Sequence, residues 1–218
     1  MDVNSPEARF LAAGARRLED DGTLQEPGGE PAGAGKHRRP ALAIDLEMSG
    51  PNAMVHEVLD VGAVLTAPRD GFPELESWGS RVRPKRIGNA QPAALKVVGY
   101  SARAWKSAME IEGAFAKLAE LGKDAAITGW GIGQDMSFLV QTYRTLEMAW
   151  PFAPVAVDVQ PVARKLLKGT GSVDRFNLGH VADRLGIGRD GEHGALPDAL
   201  ATYDVLVALA RQAPASEG

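Results

Sequence analysis

From Ala41 onward, three apolar runs follow one another with no helical pattern between them, and helical stretches then separate two more. The first three are "ALAIDLE" (41–47), "HEVLDVGAVLTA" (56–67) and the alternating "SWGSRVRP" (77–84), which Pro84 stops. Strands joined without a crossover pair antiparallel, whereas strands separated by a helix pair parallel. "DAAITGW" (124–130) and "VAVDV" (155–159) are the two later strands. The spacing predicts helices near 91–97, 101–109, 110–121, 134–148, 160–168, 175–185 and 196–211, with Ser101 capping the second. This order implies an α/β fold whose mixed five-stranded sheet has a three-stranded antiparallel start, then parallel strands, with helices on its flanks. No internal repeat is present.

Residues 1–39 read differently. Ser5, Pro6 and Glu7 form a helix-start signal for a short helix, and a Gly- and Pro-rich stretch behind it reads as a flexible tether. The folded domain is expected over 40–212 and a disordered tail over 213–218. With no cysteine there is no disulfide framework, thiolate nucleophile or thiolate metal site. No apolar run approaches the roughly 20 residues that span a bilayer, and the first ten lack a secretory signal's apolar stretch, so a cytoplasmic location is expected. Net charge is −4. Residues 41–218 carry 18 Lys and Arg against 21 Asp and Glu, and offsetting four acids with bound cations leaves 18 against 17. An acidic protein of this kind can still present a neutral surface to a polyanion.

The first strand carries Asp45 and Glu47, two positions apart and therefore on one face. Burying two adjacent carboxylates is costly, and the strand contains no cation to neutralise them. Alone, such a pair reads as the solvated end of a strand. Two other segments change that reading. Asp135 follows the fourth strand at the start of a helix, and Asp198 sits in the first turn of the last helix with His193 on the loop ahead. Four acids at strand ends and helix starts suit a hard divalent ion such as Mg²⁺, which takes oxygen ligands. Two such ions about 4 Å apart can hold the attacking and leaving oxygens of a phosphodiester displacement. A histidine, with its ordinary pKa near 6.5, suits the base that activates water.

The chain resembles the DEDDh family of 3′→5′ exonucleases, the DnaQ-like group of the ribonuclease H-like superfamily. "IDLEMSGP" carries Asp45 and Glu47, "GWGIGQDMSFL" carries Asp135, and "HGALPDALAT" carries His193 and Asp198. "LDVGAV", "PAALKVVGYS", "VDVQPVARKL" and "NLGHVADRLGI" fall between them in family order, so the likeness spans residues 41–211. The resemblance implies that two divalent cations, Mg²⁺ or Mn²⁺, are held by Asp45, Glu47, Asp135 and Asp198. Asp45 would bridge them, Glu47 and Asp198 would complete the ion that helps activate water, and Asp135 would assist through water. His193 would be the general base, and Met48 and Ser49 would line the terminal-nucleotide pocket. Single-stranded DNA or short RNA 3′ ends would be the substrates. A homodimer, and a protein partner recruited through residues 1–39, are further expectations.

Departures from the family pattern occur at Trp130, Gly131 and Gln134, where it has His, Asn and Phe, and at Val98 and Asp60, where it has His and Glu. They motivate an alternative, a catalytically weak member acting as a nucleic-acid- or partner-binding regulatory module. A third reading is a small-molecule phosphodiesterase using the same metals. "SRVRPKR" (80–86) reads either as a phosphate contact or as a solvated strand end. Trp105 and Trp150 read as packing residues before base-stacking ones. Gly129, Gly131 and Gly133 lack the Lys of a phosphate-binding loop.

Overall fold

The computed structural model describes residues 15–17, 39–68, 71–167, 176–188 and 194–212. The five expected strands are β2 (Ala41–Met48), β3 (Val58–Thr66), β4 (Glu74–Arg81), β5 (Ala126–Gly129) and β6 (Val155–Asp158). A short strand β1 (Ala15–Arg17) joins them, giving the order β1-β6-β5-β2-β3-β4. β2, β3 and β4 are antiparallel neighbours, and β2–β5 and β5–β6 are parallel, as the strand and helix order requires. The helices are α1 (Pro92–Val98), α2 (Ile111–Leu121), α3 (Gly133–Thr145), α4 (Val159–Leu166), α5 (Leu178–Arg184) and α6 (Ala195–Gln212). Among the described residues, no helix is long and apolar enough to cross a membrane.

Alternation along β2 sorts the two faces of the sheet. Leu42, Ile44 and Leu46 turn into the main core with Phe115 and Leu118 of α2 and Phe138, Leu139 and Tyr143 of α3. Ala43 turns the other way, against Ala199, Leu200 and Tyr203 of α6. Asp45 and Glu47 share that second face. Small residues there let α6 lie close to the strands. A third cluster joins α4, α5 and α6 through Val159, Val162, Val181, Val205, Leu206 and Leu209.

Three expectations are corrected. The helix of the N-terminal extension gives way to strand at Ala15–Arg17, which pairs antiparallel with Val155–Val157. β6 would otherwise present a row of open N–H and C=O groups at the sheet edge, and any extended segment satisfies them. The rest of the expected helix, the expected tether up to residue 38 and the tail over 213–218 lie outside the described residues. The helix at 101–109 is instead a chain of turns. Ser101 Oγ does accept from Ala104 N–H at 3.2 Å, but β4 and its extension capture the carbonyls that a helix would use. Arg81 Nη1 donates to Ala104 O, and Arg83 Nη2 donates to Lys106 O and Ala108 O. Trp105 is buried below, its indole N–H donating to Leu59 O at 3.0 Å and Arg81 lying 4.5 Å over its ring. Finally, α3 ends at Thr145, short of Met148, because Glu147 adopts φ 54°.

Candidate active site

Asp45 and Glu47 stand at the end of β2, Asp198 stands in the first turn of α6, and one carboxylate oxygen from each lies within 4.8 Å of the others. Asp198 lies more than 150 residues beyond Asp45 and Glu47 in sequence. Two features of β3 dock the start of α6 beside β2. Asp60 accepts hydrogen bonds from the backbone N–H groups of Ala195 and Val61, the latter at 3.0 Å, which places a negative group at the helix N-terminus. Gly62, directly opposite Asp45, leaves room for the helix itself. A Cβ at Gly62 would stand 2.1 Å from Ala195 O, and one at its cross-strand neighbour Gly79 would stand 2.7 Å from Leu196 Cβ. The glycine pair forms a notch, and Ala195–Leu196 fill it.

Asp135 arrives from the other side. The β2–β5 ladder stops at the pair Ala43–Thr128, and β5 ends at Gly129. Beyond that point Asp135 Oδ1 accepts from Leu46 N–H at 3.0 Å, replacing the missing strand. Asp135 is thus bonded to the residue between Asp45 and Glu47. Nearby, Asp158 Oδ1 accepts from Gly131 N–H at 2.9 Å and from Gln160 N–H at 3.0 Å.

Burial raises the Asp45 pKa well above the usual carboxylate range, and the charges of Asp135, Glu47, Asp198 and Asp60 add to it. Burial likewise pushes Asp135 up to about 7, against the lowering effect of the Leu46 and Asp135 N–H groups, with Glu47 and Asp158 adding to the rise. The sign follows from proton counting. An acid with a raised folded-state pKa binds more protons folded than unfolded, so stability is lost as pH rises between the two values. For Asp135 that window runs from 3.8 to about 7. In chelator, the thermal midpoint is expected to fall between about pH 5 and about pH 8, and Asp135→Asn should flatten the fall. A midpoint that rises across that interval would contradict the electrostatic account.

The remaining expected residues are placed as follows. Met48 is half-buried against the main core, and a register shift between Glu47 and Met48 turns the strand there. Ser49 is buried with its hydroxyl accepting from Glu57 N–H at 2.9 Å, while its carbonyl accepts from Gln91 N–H at 2.8 Å. Its side chain therefore holds the turn after β2. His193 lies outside the described residues. The stretch 80–86 carries no field of free cations: Arg83 pairs with Glu110, Lys85 with Glu112 and Arg86 with Glu57. Trp105 is buried, and Trp150 stacks edge-on with Tyr143 and Phe152. At the altered second motif, Trp130 stacks on Phe176 with the rings 20° apart, and Arg164 lies 4.5 Å over Phe176. Asp158 and the Gly62–Gly79 notch escaped the sequence reading, and Asp60 entered it only as a departure from the family pattern. Of these, only Asp158 carried a legible signal, an acid between a strand and a helix in the N-cap position.

Comparison with known proteins bears on this geometry directly. The RNase T exonuclease family model matches residues 42–206. A Mycobacterium tuberculosis (strain CDC 1551 / Oshkosh) protein, named as a bifunctional exonuclease/endonuclease, is 24% identical over 174 residues, covering 77% of this chain. The chain spans only 26% of that relative's length. E. coli exonuclease I in complex with a dT13 oligonucleotide superposes with a TM-score of 0.66 at 18% identity, over 78% of this chain and 40% of that one. A 3′-exonuclease described for 3′-end-specific recognition of the histone mRNA stem-loop gives 0.64 at 17% identity, over 81% of this chain and 65% of that one. These two likenesses concern the fold, whereas the family match runs from β2 into α6 and takes in Asp45, Glu47, Asp135 and Asp198. The chain belongs to the RNase T exonuclease family, the DnaQ-like nucleases of the ribonuclease H-like superfamily.

Proposed function

We propose that this chain is a metal-dependent 3′→5′ exonuclease that releases nucleoside monophosphates from the 3′ ends of single-stranded DNA or short RNA. The observation that carries the proposal is the convergence of Asp45, Glu47 and Asp198 within 4.8 Å, with Asp135 bonded beside them. The donors are all hard carboxylate oxygens, and burial together with the neighbouring charges raises the Asp45 pKa, as expected where cations belong. The set fits divalent ions of the Mg²⁺ or Mn²⁺ kind, held by Asp45, Glu47, Asp198 and, through water, Asp135. Such ions, when bound, supply charge neutralisation and Lewis-acid polarisation of the scissile phosphate.

The chain's own residues do the rest. Met48 lines the terminal-nucleotide pocket with its partly exposed side chain, and Ser49 shapes it through the turn its hydroxyl holds. His193 takes the proton of the attacking water as that oxygen bonds to phosphorus and the bond to the 3′ oxygen breaks. The 3′ oxygen takes up a proton from solvent and remains as the 3′-hydroxyl of the shortened strand. The free monophosphate carries the terminal nucleotide away. An oxygen-rich, acidic pocket also disfavours ionised substrate until its own charge is offset, so activity should depend on added metal.

Incubation with Mg²⁺ or Mn²⁺ and 5′-labelled single strands is expected to give a ladder shortening from the 3′ end, with mononucleotide product. Asp135→Ala should lower the rate by more than about a hundredfold, the upper end of what outer-sphere metal-site changes cost. Cleavage of a circular single strand would point to internal cutting instead. No shortening with any divalent ion would remove the proposal.

A further inference from the structure

We propose that Asp158 is a positioning residue that aims Asp135 at β2 by holding the Gly131 turn. Asp158 is the last residue of β6 and 6% exposed. Its bond to Gln160 N–H caps α4, and an ordinary N-cap needs nothing further. The second bond is different in kind, because it crosses to the neighbouring strand's exit and takes Gly131 N–H at 2.9 Å. Gly131 has φ 63°, the left-handed turn that sends the chain from β5 into α3. α3 has no side-chain cap of its own, since Ile132 occupies that position. The entry to α3 is therefore secured from outside, by Asp158 acting on Gly131, four residues before Asp135.

Position 158 also carries a cost that a merely structural cap would avoid. A buried carboxylate this near the acidic site adds to its repulsion, and a neutral acceptor could cap α4 equally well. A charged oxygen binds two N–H groups more strongly, which matters where one of them sets a turn. The neighbouring Trp130–Phe176 stack, with Gln160 Nε2 donating to Phe176 O at 3.4 Å, pins the same turn from its other side. This chain thus rebuilds its altered second motif with Gly131 held by Asp158.

The bond from Leu46 N–H to Asp135 Oδ1 gives a direct readout of where Asp135 points. Amide hydrogen exchange is measured by NMR on the full chain, without metal. Asp158→Ala is expected to speed exchange at both Gly131 and Leu46 by about tenfold or more, the equivalent of losing one buried hydrogen bond. Asp158→Asn, which keeps the acceptor oxygen, should restore most of that protection. Gly131→Ala tests the same route without touching the α4 cap: its Cβ would meet only Gln160 Oε1, at 3.9 Å, so the substitution acts through φ. It too should loosen Leu46. In the nuclease assay Asp158→Ala should lower kcat by about 10–100-fold with KM for oligonucleotide little moved, and Asp158→Asn should recover it. Faster exchange at Gly131 with Leu46 unchanged would overturn the inference and leave Asp158 a local cap. The rate effect rests on the exonuclease reading. A wild-type protein with no nuclease activity would sink that reading, while the Leu46 amide would still decide this one.

Discussion

Asp45→Asn is expected to abolish nuclease activity while making the metal-free protein more stable. Asp45 sits beside Asp135, Glu47, Asp198 and Asp60, and its raised pKa records how unwelcome its charge is there. Asparagine keeps the shape and removes the charge, so repulsion falls and the thermal midpoint in chelator should rise, by about 2–4 °C for each kcal/mol relieved in a protein of this size. The gain should be larger at alkaline than at acidic pH, because a carboxyl with a raised pKa carries less charge to remove as pH falls. Activity should fall by more than about a hundredfold, because the central ligand has gone. Added Mn²⁺ should raise the midpoint of the wild type more than that of the variant, since a ligand stabilises only the state that binds it. Thermal scans at two pH values, with and without Mn²⁺, check all of this. A variant that is both less stable in chelator and fully active would refute the electrostatic reading of the site.

Among the described glycines, Gly62→Ala should be the most damaging single methyl. The new Cβ would meet Ala195 O at 2.1 Å, Ala195 C at 2.2 Å and Leu196 N at 2.3 Å, all backbone atoms that cannot rotate away. α6 must then lift from β3, carrying Asp198 away from Asp45. Overpacking of this kind costs about 1–3 kcal/mol and sometimes more, and loss of the third ligand should lower activity at least tenfold further than the folded fraction explains, on the order of other metal-site changes. Gly79→Ala should be milder, since its nearest obstacle is the Leu196 side chain. Gly88→Ala, with nothing within 4 Å, serves as the control. Chemical denaturation and the nuclease assay together test the order Gly62, Gly79, Gly88. A Gly62→Ala protein as stable and active as the control would show that the notch does not set the position of α6.

Much of this site was legible in the sequence because its chemistry is written in local signals. Asp45 and Glu47 share a strand face by alternation alone, and Asp135 and Asp198 follow from helix starts. The sheet's order followed from where helices interrupt strands. What escaped was set by partners distant in sequence. The segment 101–109 has a helix's cap and composition, yet Arg81 and Arg83 claim its carbonyls from another element. Ala15–Arg17 looks helical beside Pro6 and Glu7, and only the open edge of β6 makes it a strand. Gly62 and Gly79 carry no signal of their own within their strands, because nothing local announces the helix that needs their space. The resemblance puts Ser49 in the terminal-nucleotide pocket, and only the fold shows that its hydroxyl accepts from Glu57 N–H. Trp130 and Gly131 looked like losses from a motif until Phe176 and Asp158 supplied their partners.

The most direct measurement is anomalous scattering from Mn²⁺-soaked crystals of the wild-type protein. The account predicts a strong peak among the carboxylates of Asp45, Glu47 and Asp198, absent when Asp45→Asn crystals are soaked identically. No manganese between those three side chains, at a concentration that supports catalysis, would contradict it.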